Sequence, residues 1–428
     1  MFYRAFRNAV LMIAFITGAQ CFAAPVPAPA VVPVVPPAVA PKGSLVIIGG
    51  GLRGDNAAVW NRIVQLAGGE GARIAVFGAA SYNAAKAGDI NANRLNHYGA
   101  RAFAVPIGRE TLDAADDPEL ADAVRKAGGA YFAGGDQARI TRALLRADGS
   151  NTRVLDALWD MYRRGGVIAG TSAGAAIMSS TMFYRADTVL STLRRGVEDG
   201  NEIAPGLGFI GDDVFVDQHL LIRGRFARML PAMLKKGYKL GLGIDENTAM
   251  VVSADREVEV LGYRGALLLD MTEATSQNAG EFNVSNVRLS YLDNGDRFNL
   301  ATGAITPARD KAEGKLNPAR PYYRGPLFTA DILANSAVTD LMAKLIDSDQ
   351  LDAIGVAMSS PFDKQSDLGF EFRFSRVQES VGYQSPVTDA YSIYKLRLDI
   401  RPIAVRQPMY QYRNGSSQDY NAAQSNAR

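Results

Sequence analysis

The sequence predicts an α/β fold, a mostly parallel sheet flanked by helices, followed by a β-rich C-terminal extension. Three observations carry this prediction. Short apolar runs recur at residues 45–48, 102–105 and 167–169 and within the strand-like 73–77, which opens on Arg73; the first, the last and 73–77 are each followed by glycine. Runs of that length read as strands buried on both faces. Helical patterns lie between them, as in residues 56–66, where Val59, Ile63 and Leu66 share one face. Late in the chain Phe370, Phe372 and Phe374, then Tyr394, Leu396, Leu398 and Ile400, alternate with other residues. Period two marks half-buried strands of an antiparallel sheet.

In chain order, Arg4 and Arg7 precede an apolar stretch, 9–18, and small residues at Ala23 and Ala24. This is the pattern of a secretory signal peptide, residues 1–24, and its apolar core is too short to span a bilayer comfortably. A retained N-terminal anchor is the alternative. The expected location is extracellular, or periplasmic in transit, with no membrane attachment after signal removal. Cys21 is the only cysteine, so the mature chain has no disulfide and no thiol nucleophile. Residues 25–42 are almost entirely Pro, Ala and Val, an extended spacer.

A catalytic region is expected over residues 43–305. It opens with the strand at 45–48, which runs into Gly49-Gly50-Gly51. A phosphate cradle is a weak reading there, because no G-K-[ST] and no complete G-x-G-x-x-G follows. His97 precedes a glycine in a loop and reads as structural. Residues 130–135 are a strand and turn, followed by a helical ITRALLR; residues 154–164 form the helix closed by Gly165-Gly166. Residues 214–216 and 242–244 read as strands, 258–271 as strand, turn and strand, and 286–305 as two strand-like runs around Asp293-Asn294-Gly295. Residues 306–324 look like a linker, 330–346 like a helix, and 415–428 like a disordered polar tail. The extension, 306–428, shows no catalytic constellation.

Composition narrows the function. Of 428 residues, 47% are hydrophobic and 21% charged, a globular composition with length for two domains. The formal charge is +2, and Arg4 and Arg7 in the leader account for it. That leaves no basic excess for nucleic acid. Two histidines and no mature cysteine make a poor zinc set, so neither metal nor other cofactor is expected.

Chemistry concentrates at Gly170-Thr171-Ser172-Ala173-Gly174, a G-x-S-x-G between strand and helix formers. Strand, sharp turn and helix are the context of a nucleophile elbow, where the flanking glycines make room for a strained serine. Ala173 N–H, at the helix N-terminus, suits an oxyanion. By itself the pentapeptide also fits a tight turn without chemistry. A serine nucleophile needs a base, and His219, after the 214–216 strand, fits better than His97. Asp245 and Glu246, at another strand end, offer an orienting carboxylate. Gly134, Gly135 and Gln137 place donors on the same carboxyl edge, where open α/β sheets bind ligands. Arg223, Arg225 and Arg228 read either as a solvated face or as carboxylate forks.

In order, G-G-D-Q (134–137), G-T-S-A-G-A (170–175), D-Q-H (217–219), R-G-R-F-x-R (223–228) and G-I-D-E (243–246) closely resemble the cyanophycinases. These are serine peptidases of the peptidase E-like group, on a fold similar to class I glutamine amidotransferases. The leader and the long C-terminal part suggest the secreted bacterial form. The resemblance covers roughly residues 43–304. It implies Ser172 as nucleophile, His219 as base and Glu246 as the orienting carboxylate, with Ala173, Gly135 and Asp136 around the oxyanion. Gln137, Asp217, Gln218, Arg223, Arg225 and Arg228 would line the substrate site. The implied substrate is multi-L-arginyl-poly-L-aspartate and the product the β-Asp-Arg dipeptide. The polymer's branches carry both guanidinium and carboxylate groups, so a site with acid and arginine suits them. The expected partners are this polymer and a second copy of the chain in a homodimer. The alternatives are an aspartyl or isoaspartyl dipeptidase, and a non-catalytic binding protein on the same fold.

Overall fold

The computed structural model describes residues 41–277, 280–363, 366–406 and 408–409. The signal peptide, residues 25–40 of the spacer and the polar tail lie outside the described residues.

A β/α alternation comes first. Its elements are β1 (Ser44–Ile48), α1 (Ala57–Leu66), β2 (Arg73–Phe77), α2 (Ala84–His97), β3 (Arg101–Val105), α3 (Pro118–Arg125), β4 (Gly129–Phe132), α4 (Gln137–Leu144), α5 (Arg153–Arg163), β5 (Val167–Thr171) and the one-turn α6 (Ala173–Ala176). β3, β2, β4, β5 and β1 pair side by side in that order, all parallel. The apolar runs of β1, β2, β4 and β5 are buried, as uninterrupted runs require, whereas the edge strand β3 is half-buried except at Val105. Side chains of Asn56, Asn83, Asp117, Asp136 and Thr152 cap the helices that follow them by accepting N–H groups of the first turn. Helix α2 has no clear sequence signature, because only Gly88, Ala92 and Leu95 face inward. His97 closes that helix instead of sitting in a loop.

The ribbon β6 (Thr181–Phe183) and β7 (Ile203–Pro205) encloses α7 (Val189–Arg195). Then follow β8 (Val214–Gln218), α8 (Phe226–Lys236), β9 (Leu240–Ile244), β10 (Thr248–Val252), β11 (Glu257–Gly262), β12 (Ala266–Asp270), β13 (Val284–Leu292), β14 (Arg297–Asn299), β15 (Ile305–Thr306), β16 (Leu327–Thr329), α9 (Ala337–Ile346), β17 (Asp352–Ala357), β18 (Leu368–Ser375), β19 (Val381–Gln384) and β20 (Tyr391–Ala404).

Here the chain weaves between two sheets. β10, β11, β14 and β15 extend the first sheet antiparallel from β1, giving the order β15-β14-β11-β10-β1-β5-β4-β2-β3. The second sheet runs β16-β17-β18-β20-β13-β12-β9-β8, with β19 on β20. Both sheets are therefore mixed; in the second, β8 with β9 and β16 with β17 are the parallel pairs. Residues 258–271, though strand, turn and strand, are not a hairpin, since β11 and β12 belong to different sheets. Gly262, at φ 138°, makes that step possible.

The alternating phenylalanines form β18, which pairs with β20, which pairs in turn with β13. Strands from beyond residue 306 thus share a sheet with β8 and β9. The stretch 306–324 is not a free linker. Lys311 is 1% exposed, and its Nζ lies 2.7 Å from Asp293 Oδ2 and 3.7 Å from an oxygen of buried Asp296. The helix expected from residue 330 starts at Ala337, because residues 331–336 form a loop ending in Ser336 at φ 59°.

Candidate active site

β5 brings Ser172 to the carboxyl edge of the first sheet. β8 and β9 bring His219 and Glu246 to the matching edge of the second, so the site lies on the seam between the sheets. Ser172 takes φ 54° and ψ −109°, a conformation a side chain tolerates only when its surroundings enforce it. They do. Ser172 N–H donates to Ile48 O at 2.9 Å, and a Cβ on Gly170 would fall 2.3 Å from Gly174 O. The flanking glycines are there for that close approach.

Ser172 Oγ is 2.8 Å from His219 Nε2, and His219 Nδ1 is 2.5 Å from Glu246 Oε1. Of the two acidic candidates, Glu246 is the one that reaches the imidazole. Its neighbour Asp245 is fully buried and holds the loop after His219, accepting N–H groups of Leu221 and Ile222, each at 3.1 Å. His219 itself has φ 52°, and its N–H donates to Gly49 O at 2.8 Å. Burial pushes the imidazole pKa down; the Glu246 hydrogen bond opposes this, and the charges of Arg223 and Arg225 reinforce it. Neutral His219 is therefore favoured at neutral pH, the form that accepts a proton. His97 is exposed and edge-on to Tyr98 at 5.2 Å, away from this relay.

The sequence reading missed the glycine run. A Cβ on Gly50 would lie 2.2 Å from His219 Cε1, and one on Gly51 would lie 3.0 Å from Glu246 Oε2. The run admits the ring and the carboxylate; it is no phosphate cradle. Asn247, at φ 54°, braces it by accepting Arg53 N–H at 3.1 Å and donating its own N–H to Gly50 O at 2.8 Å. A glycine run on the strand beside the elbow was the available signal.

The oxyanion donors divide. A Cβ on Gly134 would be 3.3 Å from Ser172 Cβ, which sets residues 134–135 over the serine. Among the described residues nothing accepts the N–H of Gly135 or of Ala173. The N–H of Asp136, in contrast, donates to Ala80 O at 2.9 Å, and its carboxylate caps α4. Asp136 is thereby removed from the oxyanion set.

The residues expected around a substrate divide too. Arg223 is exposed. Arg225 donates to Gln218 O at 3.0 Å and to Gln218 Oε1 at 3.1 Å, and burial lowers its pKa to about 10, still charged at neutral pH. Gln137 donates to Phe183 O at 2.7 Å. Asp217 and Arg228 form a buried two-pronged ion pair, 2.7 and 2.8 Å, with the guanidinium 4.1 Å above the Phe183 ring. Both partners are satisfied by each other, so they brace the site from below and present no free fork or carboxylate.

Residues 45–260 match the model of peptidase family S51, from β1 into β11, and include Ser172, His219 and Glu246. The chain belongs to peptidase family S51. This S51 chain is a serine peptidase. A cyanophycinase from Geminocystis herdmanii is 31% identical over 269 residues, covering 61% of this chain and 95% of that protein. One from Synechococcus elongatus is 31% identical over 273 residues, covering 62% and 81% respectively. A solved peptidase from an acI-B1 Actinobacterium is 22% identical, with TM-score 0.43, covering 57% of this chain and 97% of that one.

Proposed function

We propose that this S51 peptidase hydrolyses cyanophycin, multi-L-arginyl-poly-L-aspartate, to β-Asp-Arg dipeptides. The reading is supported by the relatives named cyanophycinase and rests on one observation, the hydrogen-bond relay from Ser172 through His219 to Glu246. Ser172 Oγ attacks the scissile carbonyl as His219 Nε2 takes its proton. Glu246 holds the ring and stabilises the imidazolium. The N–H groups of Ala173 and Gly135 receive the developing oxyanion. His219 then gives its proton to the leaving amine, and water, deprotonated by the same imidazole, releases the acyl group and restores Ser172.

For substrate recognition, Arg223 is the carboxylate fork, exposed and four residues past the base, whose imidazole feels its charge and that of Arg225. Export of the mature chain is part of the reading and is supported by the signal-like pattern of residues 1–24. The deciding experiment incubates the protein with insoluble cyanophycin. Clearing with release of β-Asp-Arg is expected. No clearing from a protein whose serine is reactive would transfer the reading to an aspartyl dipeptidase. The mass of the chain recovered from culture medium tests export and cleavage near Ala24.

A further inference from the structure

The loop 331–336 lies outside residues 45–260 that match the family model, yet it packs on the residues that follow His219. A Cβ on Gly224 would fall 2.0 Å from Leu333 O, so the loop backbone rests on the peptide between Arg223 and Arg225. Ser336 N–H donates to Leu221 O at 3.2 Å. Arg264, on the crossing from β11 to β12, joins the two sides. Its guanidinium reaches buried Asp245 Oδ2 at 3.2 Å and Ser336 Oγ at 3.3 Å. Its N–H donates to Thr248 Oγ1 at 2.8 Å, and that hydroxyl donates to Glu246 O at 3.1 Å.

We infer that Arg264 is a positioning residue, through which the C-terminal 331–336 loop holds His219 and the Arg223–Arg225 turn in register with Ser172. The inference rests on the reading of Ser172 and His219 as the reacting pair. Asp245 anchors the His219 loop with one carboxylate oxygen and needs a cation on the other; Arg264 is that cation. Without it a buried carboxylate loses its counter-charge, and the anchor of the His219 loop loosens. A shift of about 1 Å in a reacting group costs on the order of a hundredfold in rate. A loosened loop also admits water to the imidazole, and burial is the first cause of its lowered pKa. The groups facing that ring are Glu246, Ser172, Arg223 and Arg225; Arg264→Ala deletes none of them, so a moved limb reports a change in how they and the ring are held.

The test measures labelling of Ser172 by diisopropyl fluorophosphate in the full chain, across pH. Oγ bonds to phosphorus, fluoride leaves, and the proton passes to His219, so the readout does not depend on the natural substrate. Arg264→Ala should slow labelling about tenfold or more and move the acid limb upward toward the ordinary histidine value. Arg264→Lys should restore most of the rate and the limb, because it returns the charge to Asp245. Ser336→Ala, which removes the hydroxyl's contacts to Arg264 and to Asn335 and leaves the charge pair intact, should slow labelling severalfold, and it remains decisive if Arg264→Ala does not fold. Labelling rates and limbs equal to wild type in Arg264→Ala, or in Ser336→Ala when that stands in for it, would overturn the inference. A wild type that is not labelled at Ser172 would remove the reacting pair and this inference together.

Discussion

The imidazole of His219 occupies the space a β-carbon on Gly50 would fill, 2.2 Å from Cε1 and 2.5 Å from Nε2. Gly50 has φ 114°, so the position excludes a side chain by backbone conformation as well as by contact. The nitrogen that meets Ser172 is thus set by a residue of the neighbouring sheet. Gly50→Ala should displace the ring and cost on the order of a hundredfold or more in kcat/KM. Strain at that φ should cost on the order of 1–3 kcal/mol in stability. Steady-state rates beside a melting curve separate the two effects. A folded Gly50→Ala protein with unchanged kcat/KM would show that the glycine is not needed for the ring's placement.

Removal of the hydroxyl tests the relay directly. Ser172 is partly exposed at the end of β5, and Ser172→Ala opens no cavity. It should abolish turnover and leave the melting temperature within a few degrees of wild type. Glu246→Gln should keep the 2.5 Å approach to His219 Nδ1 but offer an amide where a carboxylate is needed, with loss of about three to four orders of magnitude in kcat. Full activity in either variant would refute the proposed roles.

The pH profile follows from the direction of the His219 shift. The neutral ring is the competent base, and burial lowers its pKa below 6.5. Activity should therefore persist to lower pH than an unperturbed histidine allows, with the acid limb of kcat/KM centred below that value. The Arg223 charge also lowers this pKa. Arg223→Ala should consequently raise the limb, and Arg223→Lys should leave it near wild type. A limb that does not move in Arg223→Ala would mean the charge is screened from the ring.

Several of these relationships are legible in the sequence alone, for a physical reason. Strands buried on both faces must be apolar throughout, so the runs at 45–48, 74–77 and 167–169 stand out, as does the elbow after the last of them. Helix α2 does not, because a helix with Gly88, Ala92 and Leu95 as its inward face has no apolar stripe. Sheet membership is hidden as well. Period and composition mark a strand but not its partner, so nothing in residues 258–271 announces that Gly262 ends one sheet's strand and Ala266 begins another's. The role of Gly50 is not legible, because the reason for it is a ring distant in sequence. The pairing of Asp217 with Arg228 is not legible, because a buried ion pair and two exposed charges have the same letters.

That last ambiguity separates the arginine cluster into testable parts. Asp217 and Arg228 have side chains 2% and 6% exposed and share two hydrogen bonds. Arg228→Met leaves the Asp217 carboxylate buried and uncompensated, which should cost on the order of 3–5 kcal/mol of stability. Activity on every substrate should fall together, since β8, which carries Asp217, also leads into His219. Adding Asp217→Asn to Arg228→Met removes the orphaned charge, so the double variant should melt higher than Arg228→Met alone. Arg223 behaves otherwise, because it is exposed and has no carboxylate partner among the described residues. Its loss should change stability by less than about 0.5 kcal/mol. A charged hydrogen bond to substrate is worth about 1.5–3 kcal/mol, and solvent access argues for the lower end. Arg223→Ala should therefore lower kcat/KM for cyanophycin by about tenfold, at roughly 1.4 kcal/mol per decade. A minimal ester, reaching only Ser172 and the oxyanion donors, should lose far less at a pH above the acid limb. Melting curves together with both substrates give the answer. Parallel losses on polymer and ester in Arg223→Ala would assign the exposed arginine to the fold and remove it from recognition.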